Sequence, residues 1–277
     1  MAYSVNCSIL LTELPLLERP AAARAAGFDA IEFWWPFASS VPADGDVESF
    51  VASVRDAGVQ LTGLNFTAGD MPGGDRGLVS WPARSAEFQD SIEIVVAIGQ
   101  SLGCTAFNAL YGNRVDDSTP AEQDAIALEN LASAAEAIDR IGGIVLLEPV
   151  SGAPRYPLRR AADALAVIAN LSAQSRVRNV KLLADFYHLA VNGDDVDAVI
   201  ASSAAQFGHI QIADDPGRGA PGTGTLPLER WVKHSVQLGY RGPIGLEYTA
   251  PIETAFSWLA RTTAAGAIAA DASGLAS

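Results

Sequence analysis

The sequence predicts a single-domain parallel (β/α)8 barrel, a TIM barrel, spanning residues 1–277. Three observations carry the prediction. Short apolar runs alternate with longer helical patterns eight times, at about 35 residues per unit. No linker interrupts the rhythm, and helix exits fall on glycines, where a left-handed residue is wanted. A doubly wound open sheet is the alternative, but it would leave eight strands without an obvious switch point or a dinucleotide fingerprint.

In chain order, the first strand is expected at 3–9, followed by a helix at 14–26 that exits at Gly27. The second strand, 29–33, runs into Trp34 and Trp35, read most simply as a hydrophobic wall, and a helix at 47–57 exits at Gly58. The third strand, 59–65, is followed by a connection too long for a plain turn. Its Gly-rich stretch 68–77 reads either as a lid over the barrel mouth or as a surface excursion. A helix at 83–102 exits at Gly103 and the fourth strand covers 104–108. The next helix, 121–141, starts at Thr119-Pro120-Ala121-Glu122, which combines capping-box spacing with proline at the first helical position; it exits at Gly142. Strands at 144–148, 180–184, 207–212 and 243–247 complete the set, with a further Gly exit at Gly239, and an alanine-rich tail follows residue 263.

Composition bounds the function. The net charge of −14, from 18 Lys+Arg against 32 Asp+Glu, argues against nucleic acid as a partner, because phosphate binding needs a basic face. A small anionic substrate stays admissible if arginines stand locally in the site, and a homo-oligomer is also admissible. The two cysteines, Cys7 and Cys104, sit in apolar runs and read as buried free thiols of a cytoplasmic protein. No signal peptide and no membrane span is expected.

The active site of such a barrel lies at the carboxyl ends of its strands. Glu148, Asp185, Gln211 and Glu247 stand at the ends of strands five to eight. Each taken alone has an ordinary reading as a helix cap or an ion-pair partner. Together they bring three carboxylates to one spot, where they repel unless a cation sits among them. An all-oxygen set favours a hard divalent ion, Mg2+ or Mn2+, over Zn2+. His188, three residues past Asp185, is expected to touch substrate, and His209 to support the ligands from beneath. Arg218, in the Gly-rich stretch after strand seven, reads either as a carboxylate holder or as a solvated cation.

Several stretches resemble hydroxypyruvate isomerases: residues 6–19, Ala-Gly-Phe-Asp-Ala-Ile-Glu-Phe (26–33), Asn-Phe-Thr-Ala-Gly-Asp (65–70), Arg-Gly-Leu (76–78), Leu-Gly-Cys (102–104) and, above all, His-Ile-Gln-Ile-Ala-Asp-Asp-Pro-Gly-Arg-Gly-Ala-Pro-Gly-Thr-Gly (209–224). The resemblance runs to about residue 260 and places the chain with the xylose-isomerase-like barrels, which include ketose 3-epimerases. It implies metal ligands at Glu148, Asp185, Gln211 and Glu247, with Glu148 and Glu247 also the acid/base pair, and substrate contacts from His188 and Arg218. It also implies isomerisation of hydroxypyruvate to tartronate semialdehyde through an enediolate. The chain departs from the family after Leu-Glu-Pro, where an Asn and a short Arg-Asp-containing loop are usual; here it reads Val150-Ser151-Gly152-Ala153-Pro154-Arg155-Tyr156-Pro157. Rival readings are an isomerase or epimerase of another short sugar or sugar acid, a metal nuclease, and a non-catalytic binding barrel.

Overall fold

The computed structural model describes residues 2–259. Its eight strands are β1 (Tyr3–Asn6), β2 (Ala30–Phe33), β3 (Gln60–Asn65), β4 (Ala106–Asn108), β5 (Ile144–Leu147), β6 (Val180–Asp185), β7 (Phe207–Ile212) and β8 (Ile244–Leu246). They pair in parallel in chain order, and β8 closes on β1 to complete a barrel. The helices around it are α1 (Arg19–Ala25), α2 (Asp44–Ala57), α3 (Ser85–Leu102), α4 (Pro120–Asp139), α5 (Ala161–Gln174), α6 (Phe186–Val191), α7 (Val196–Ser203) and α8 (Leu228–Gln237).

The strands read as apolar runs because a sheet wrapped by helices is buried on both faces. Val145, Leu146 and Leu147 of β5 and Leu182 and Leu183 of β6 are all buried. Ser4 and Thr62 pair nearer the amino ends, Oγ to Oγ1 at 2.6 Å. The polar side chains that form the mouth lie toward the carboxyl ends, where strand register sets them level with one another. Asn6 stands opposite Glu32, Asn65 opposite Asn108, and Asp185 opposite Gln211. Two register shifts interrupt the ladder, at Ile31/Glu32 and at Leu182/Leu183. A bulge of this kind re-aims the side chains beside it, and both lie just below the polar rim.

Most strands are shorter than the sequence patterns suggest. β1 ends at Asn6 rather than 9, β5 at Leu147 and β8 at Leu246, so Glu148 and Glu247 are the first residues past their strands. One strand is followed by two helices. Asp185 caps α6 directly off β6, and Gly193 (φ 84°) then turns the chain toward α7. The expected glycine exits at Gly27, Gly58, Gly103, Gly142 and Gly239 all have positive φ. Cys7 and Cys104 are buried and free. Among the described residues no helix is long and apolar enough to cross a membrane. The alanine-rich tail after 263 lies outside the described residues.

The capping box at α4 forms as expected: Glu122 N–H donates to Thr119 Oγ1 at 3.3 Å, and Thr119 N–H to Glu122 Oε2 at 2.8 Å. Thr119→Ala is expected to lower the unfolding free energy by about 1 kcal/mol, measured by urea denaturation, with turnover unchanged.

Candidate active site

At the barrel mouth the four predicted ligands share one arrangement. Nearly every carboxylate or amide has one end fastened by a protein donor and another oxygen directed inward. Glu148 accepts from Asn108 Nδ2 at 2.7 Å through Oε2. Asp185 uses Oδ1 to cap α6, accepting from Tyr187 N at 2.8 Å and His188 N at 3.2 Å, and its Oδ2 is buried with no hydrogen-bond donor. The reading of that residue as a helix cap thus holds through one oxygen, and the other oxygen is left able to take a ligand role. Gln211 donates from Nε2 to Glu32 Oε1 at 2.9 Å, which leaves its buried Oε1 without a partner. Glu247 accepts through Oε1 from Trp34 Nε1 at 2.6 Å and Asn6 Nδ2 at 3.2 Å. Its Oε2 lies 3.1 Å from Arg218 Nη2 but has no aligned hydrogen bond.

Buried polar atoms in folded proteins nearly always have partners. Three oxygens without a hydrogen bond, on three of the four predicted ligands, are the kind of donors a divalent cation would take up, so the residues fit such an ion. The donor set is all oxygen and carries three carboxylates, which suits a hard divalent ion. A tighter cluster of Glu148, Asp185 and His188 also brings three potential ligand atoms within 4.8 Å of one another. His188 fits that role poorly, because its Nδ1 accepts from Ser151 N at 3.1 Å and faces Ser151 Oγ at 2.7 Å. The ring proton then belongs on Nε2, which points at Glu148 Oε1 (3.9 Å) and Asp185 Oδ2 (3.7 Å) as a donor.

Electrostatics follow from crowding and burial. Burial pushes the Glu148 carboxyl up to about 8, the charge of Asp185 adding to the effect and the Asn108 bond opposing it. Glu247 is likewise held well above the ordinary carboxylate range, first by burial, with Arg218 pulling the other way. Burial lowers His188 to about 4, so the imidazole is neutral at physiological pH. Arg218 is disfavoured by burial but raised overall by Glu247, Asp185 and Glu148. Its Nη2 lies 3.1 Å from Glu247 and 3.6 Å from Asp185, and its Nε donates to Glu247 O at 3.1 Å. The residue has φ 55°, a left-handed backbone that costs a side-chain-bearing residue about 1–2 kcal/mol. Asp214 holds the surrounding loop in that shape, accepting from Asp215, Gly222 and Leu226 N–H groups.

Beneath the ligands lies a polar layer. His209 Nε2 donates to Glu32 Oε2 at 2.7 Å, so His209 supports Gln211 indirectly, through Glu32. The carboxylate of Glu32 occupies space that two glycines leave open: a Cβ on Gly245 would stand 2.6 Å from Glu32 Oε1, and one on Gly63 would stand 3.2 Å from Glu32 Cβ. Sequence reasoning missed Glu32, Asn6 and Asn108. The available signal was a polar residue within or ending an otherwise apolar strand, since such residues are seldom fully buried without a partner. Trp34 lines the cavity as expected and has a second role that the wall reading did not include: its indole N–H holds Glu247. Trp35 does form wall, packed edge-on to Phe37 at 5.1 Å.

Glu148, Glu247, His188 and Arg218 open onto a cavity of about 860 Å3. The loop after β3 supplies one wall, including Ala68–Pro72 and Arg76, and Ser151 of the divergent 150–157 stretch supplies part of another.

The family described as xylose isomerase-like TIM barrel matches residues 20–265. A putative hydroxypyruvate isomerase of Streptomyces coelicolor is 52% identical over 264 residues, covering 93% of this chain and 95% of its own length. A 2-oxo-tetronate isomerase of Cupriavidus necator is 34% identical, covering 89% and 92%. Among solved structures, an AP endonuclease, family 2, from Brucella melitensis superposes with a TM-score of 0.83 at 26% identity over 94% of this chain and 98% of that one. A D-psicose 3-epimerase superposes with a TM-score of 0.73 over 93% and 89%; at 19% identity that likeness concerns the fold alone.

The raised Glu148 carboxyl generates a pH prediction. Between about pH 4.5 and 8 the folded state holds a proton there that the unfolded chain releases, so stability falls as pH rises. His188 acts in the opposite sense, adding stability as pH rises from about 4 to 6.5. In chelator, between about pH 7 and 8, where the unfolded-state titration of His188 is largely complete, the wild-type Tm is expected to fall with rising pH, with Glu148 and Glu247 acting in the same direction. Glu148→Gln should lessen that slope and leave the part due to Glu247; an unchanged slope would remove Glu148 as a source.

Proposed function

The chain belongs to the xylose isomerase-like TIM-barrel family, together with the hydroxypyruvate isomerases, and from that membership and its site we propose an isomerase of small 2-oxo sugar acids. We take the reaction to be hydroxypyruvate to 2-hydroxy-3-oxopropanoate (tartronate semialdehyde), through an enediolate. The observation that carries this reading is the pair Glu148 and Glu247. Both are buried at the mouth and both open onto the cavity. Burial raises both carboxyls, Glu148 to about 8, where a group takes up and returns a proton near neutral pH, and Glu247 well above the ordinary range.

In this reading one glutamate removes the proton from the hydroxyl-bearing carbon. The electron pair moves into the bond to the carbonyl carbon, and the carbonyl oxygen takes the charge. The other glutamate returns a proton to the former carbonyl carbon, while the hydroxyl proton passes to the oxygen beside it. His188 Nε2–H and the Arg218 guanidinium stand ready to donate to the oxygens as charge develops. Asp185 Oδ2, Gln211 Oε1 and one oxygen each from Glu148 and Glu247 would hold Mg2+ or Mn2+, supplying Lewis-acid polarisation of the carbonyl. Residues 68–77 would shield the enediolate from water as a lid.

A second reading has a specific observation behind it. The cavity of about 860 Å3 far exceeds a three-carbon acid, and a relative is named for a 2-oxo-tetronate. A longer 2-oxo acid would fill it better. A nuclease reading is opposed by the net charge of −14. A cytoplasmic location and the absence of nucleic-acid and membrane partners complete the proposal.

Glu148→Gln and Glu247→Gln are each expected to fold and to lose on the order of 10²–10⁴ in turnover. Deuterium wash-in from heavy water, followed by NMR, should vanish in the variant lacking the first base. A wild type with neither wash-in nor turnover across hydroxypyruvate, four-carbon 2-oxo acids and free ketoses would end the isomerase reading.

A further inference from the structure

We propose that Arg76 receives the substrate's carboxylate through the edge formed by its Nε and Nη2, and so selects acids over neutral ketoses. The inference rests on the reading of the substrate as a small 2-oxo acid. Four arginines line the cavity: Arg19, Arg76, Arg84 and Arg218. Three of them are committed. Arg218 faces Glu247 and Asp185. Arg84 holds Glu87 through Nε and Nη2, at 2.8 and 2.7 Å, and Asp75 through Nη1 at 2.7 Å. Arg19 spends Nε, Nη1 and Nη2 on the carbonyls of Leu14, Cys7 and Thr12.

Arg76 differs. Only its Nη1 is used, donating to Met71 O at 2.9 Å and Asp75 O at 2.6 Å. Among the described residues no acceptor meets its Nε or Nη2, and no carboxylate pairs with it. Two carbonyls therefore clamp one corner of a rigid fork and leave the opposite edge open, the edge that binds a carboxylate through two parallel bonds. The loop beneath it is braced: Asp70 N–H donates to Asp75 Oδ2 at 2.8 Å, and Arg84 holds the same oxygen. Asp70 and Glu87 share the cavity wall, so an entering anion meets negative charge that an uncommitted cation must offset. Arg218 is already engaged by carboxylates, whereas the charge of Arg76 is unmatched. In the closed order β1 to β8, β3 stands opposite β7. The loops bearing Arg76 and Arg218 thus leave opposite sides of the mouth, with room for the substrate between them. In hydroxypyruvate and in longer 2-oxo acids alike the carboxyl is bonded to the carbonyl carbon, so one anchor serves every chain length.

The test compares wild type, Arg76→Gln and Arg76→Lys on hydroxypyruvate and on dihydroxyacetone, in which a neutral hydroxymethyl group replaces the carboxylate. Turnover is read by deuterium wash-in, and binding by competitive inhibition with glycerate and with glycerol. Arg76→Gln is expected to lower kcat/KM for hydroxypyruvate by on the order of 10–100-fold, mainly through KM. It should weaken glycerate inhibition by a similar factor, and Arg76→Lys should fall between. Effects on dihydroxyacetone and glycerol should stay below about threefold. Equal losses on charged and neutral compounds, or none on either, would overturn the role of Arg76. A wild type that turns over no 2-oxo acid would instead overturn the functional reading on which it rests.

Discussion

Three carboxylates buried side by side repel one another, and the architecture of the barrel mouth follows from how that repulsion is offset. Arg218 is, among the described residues, the cation that approaches two of them, at 3.1 and 3.6 Å. It does so from a left-handed backbone that Asp214 and the flanking glycines make tolerable. Each carboxylate also accepts at least one bond from a fixed donor: Asn108 for Glu148, the start of α6 for Asp185, Trp34 and Asn6 for Glu247. Those donors hold the groups in place without exhausting their oxygens. The remainder of the negative charge is left for protons, for a divalent ion, or for both in competition.

Gln211 brings a neutral oxygen to the same spot. A fourth carboxylate would add repulsion that one arginine could not offset. An amide supplies an oxygen at no cost in charge, provided that oxygen faces the right way. Glu32 decides this by accepting from Nε2, and His209 in turn holds Glu32. Orientation is thus set from below by a carboxylate that never reaches the cavity. Room for it depends on residues with no side chain at all, Gly63 and Gly245.

The barrel was legible in the sequence because its signals are local. Two-face burial makes strands continuous apolar runs, and Gly58, Gly103 and Gly142 mark helix exits by a conformation other residues resist. The position of Glu148, Asp185, Gln211 and Glu247 was legible because the βα rhythm fixes where strands end. What the rhythm does not carry is direction. That Trp34 also presents its N–H to Glu247, 213 positions away in the chain, depends on β8 closing against β1. The tautomer of His188 depends on Ser151, which sits 37 positions away in the chain and only meets it once β5 and β6 are paired. The second helix after β6 was missed for a related reason: the cap that starts α6 is the same Asp185 whose other oxygen serves the site.

The closure of β8 onto β1 has a consequence for biosynthesis. Asn6 belongs to the first strand and Glu247 follows the last, and they meet across 241 positions of chain. As the chain emerges in order, Glu148, Asp185 and Gln211 precede the residue that completes their set. Contacts of such separation form late, because the loop they close must be ordered first. The four side chains are therefore brought together only once the final strand pairs with the first. An ion that needed all four would stabilise only the closed barrel.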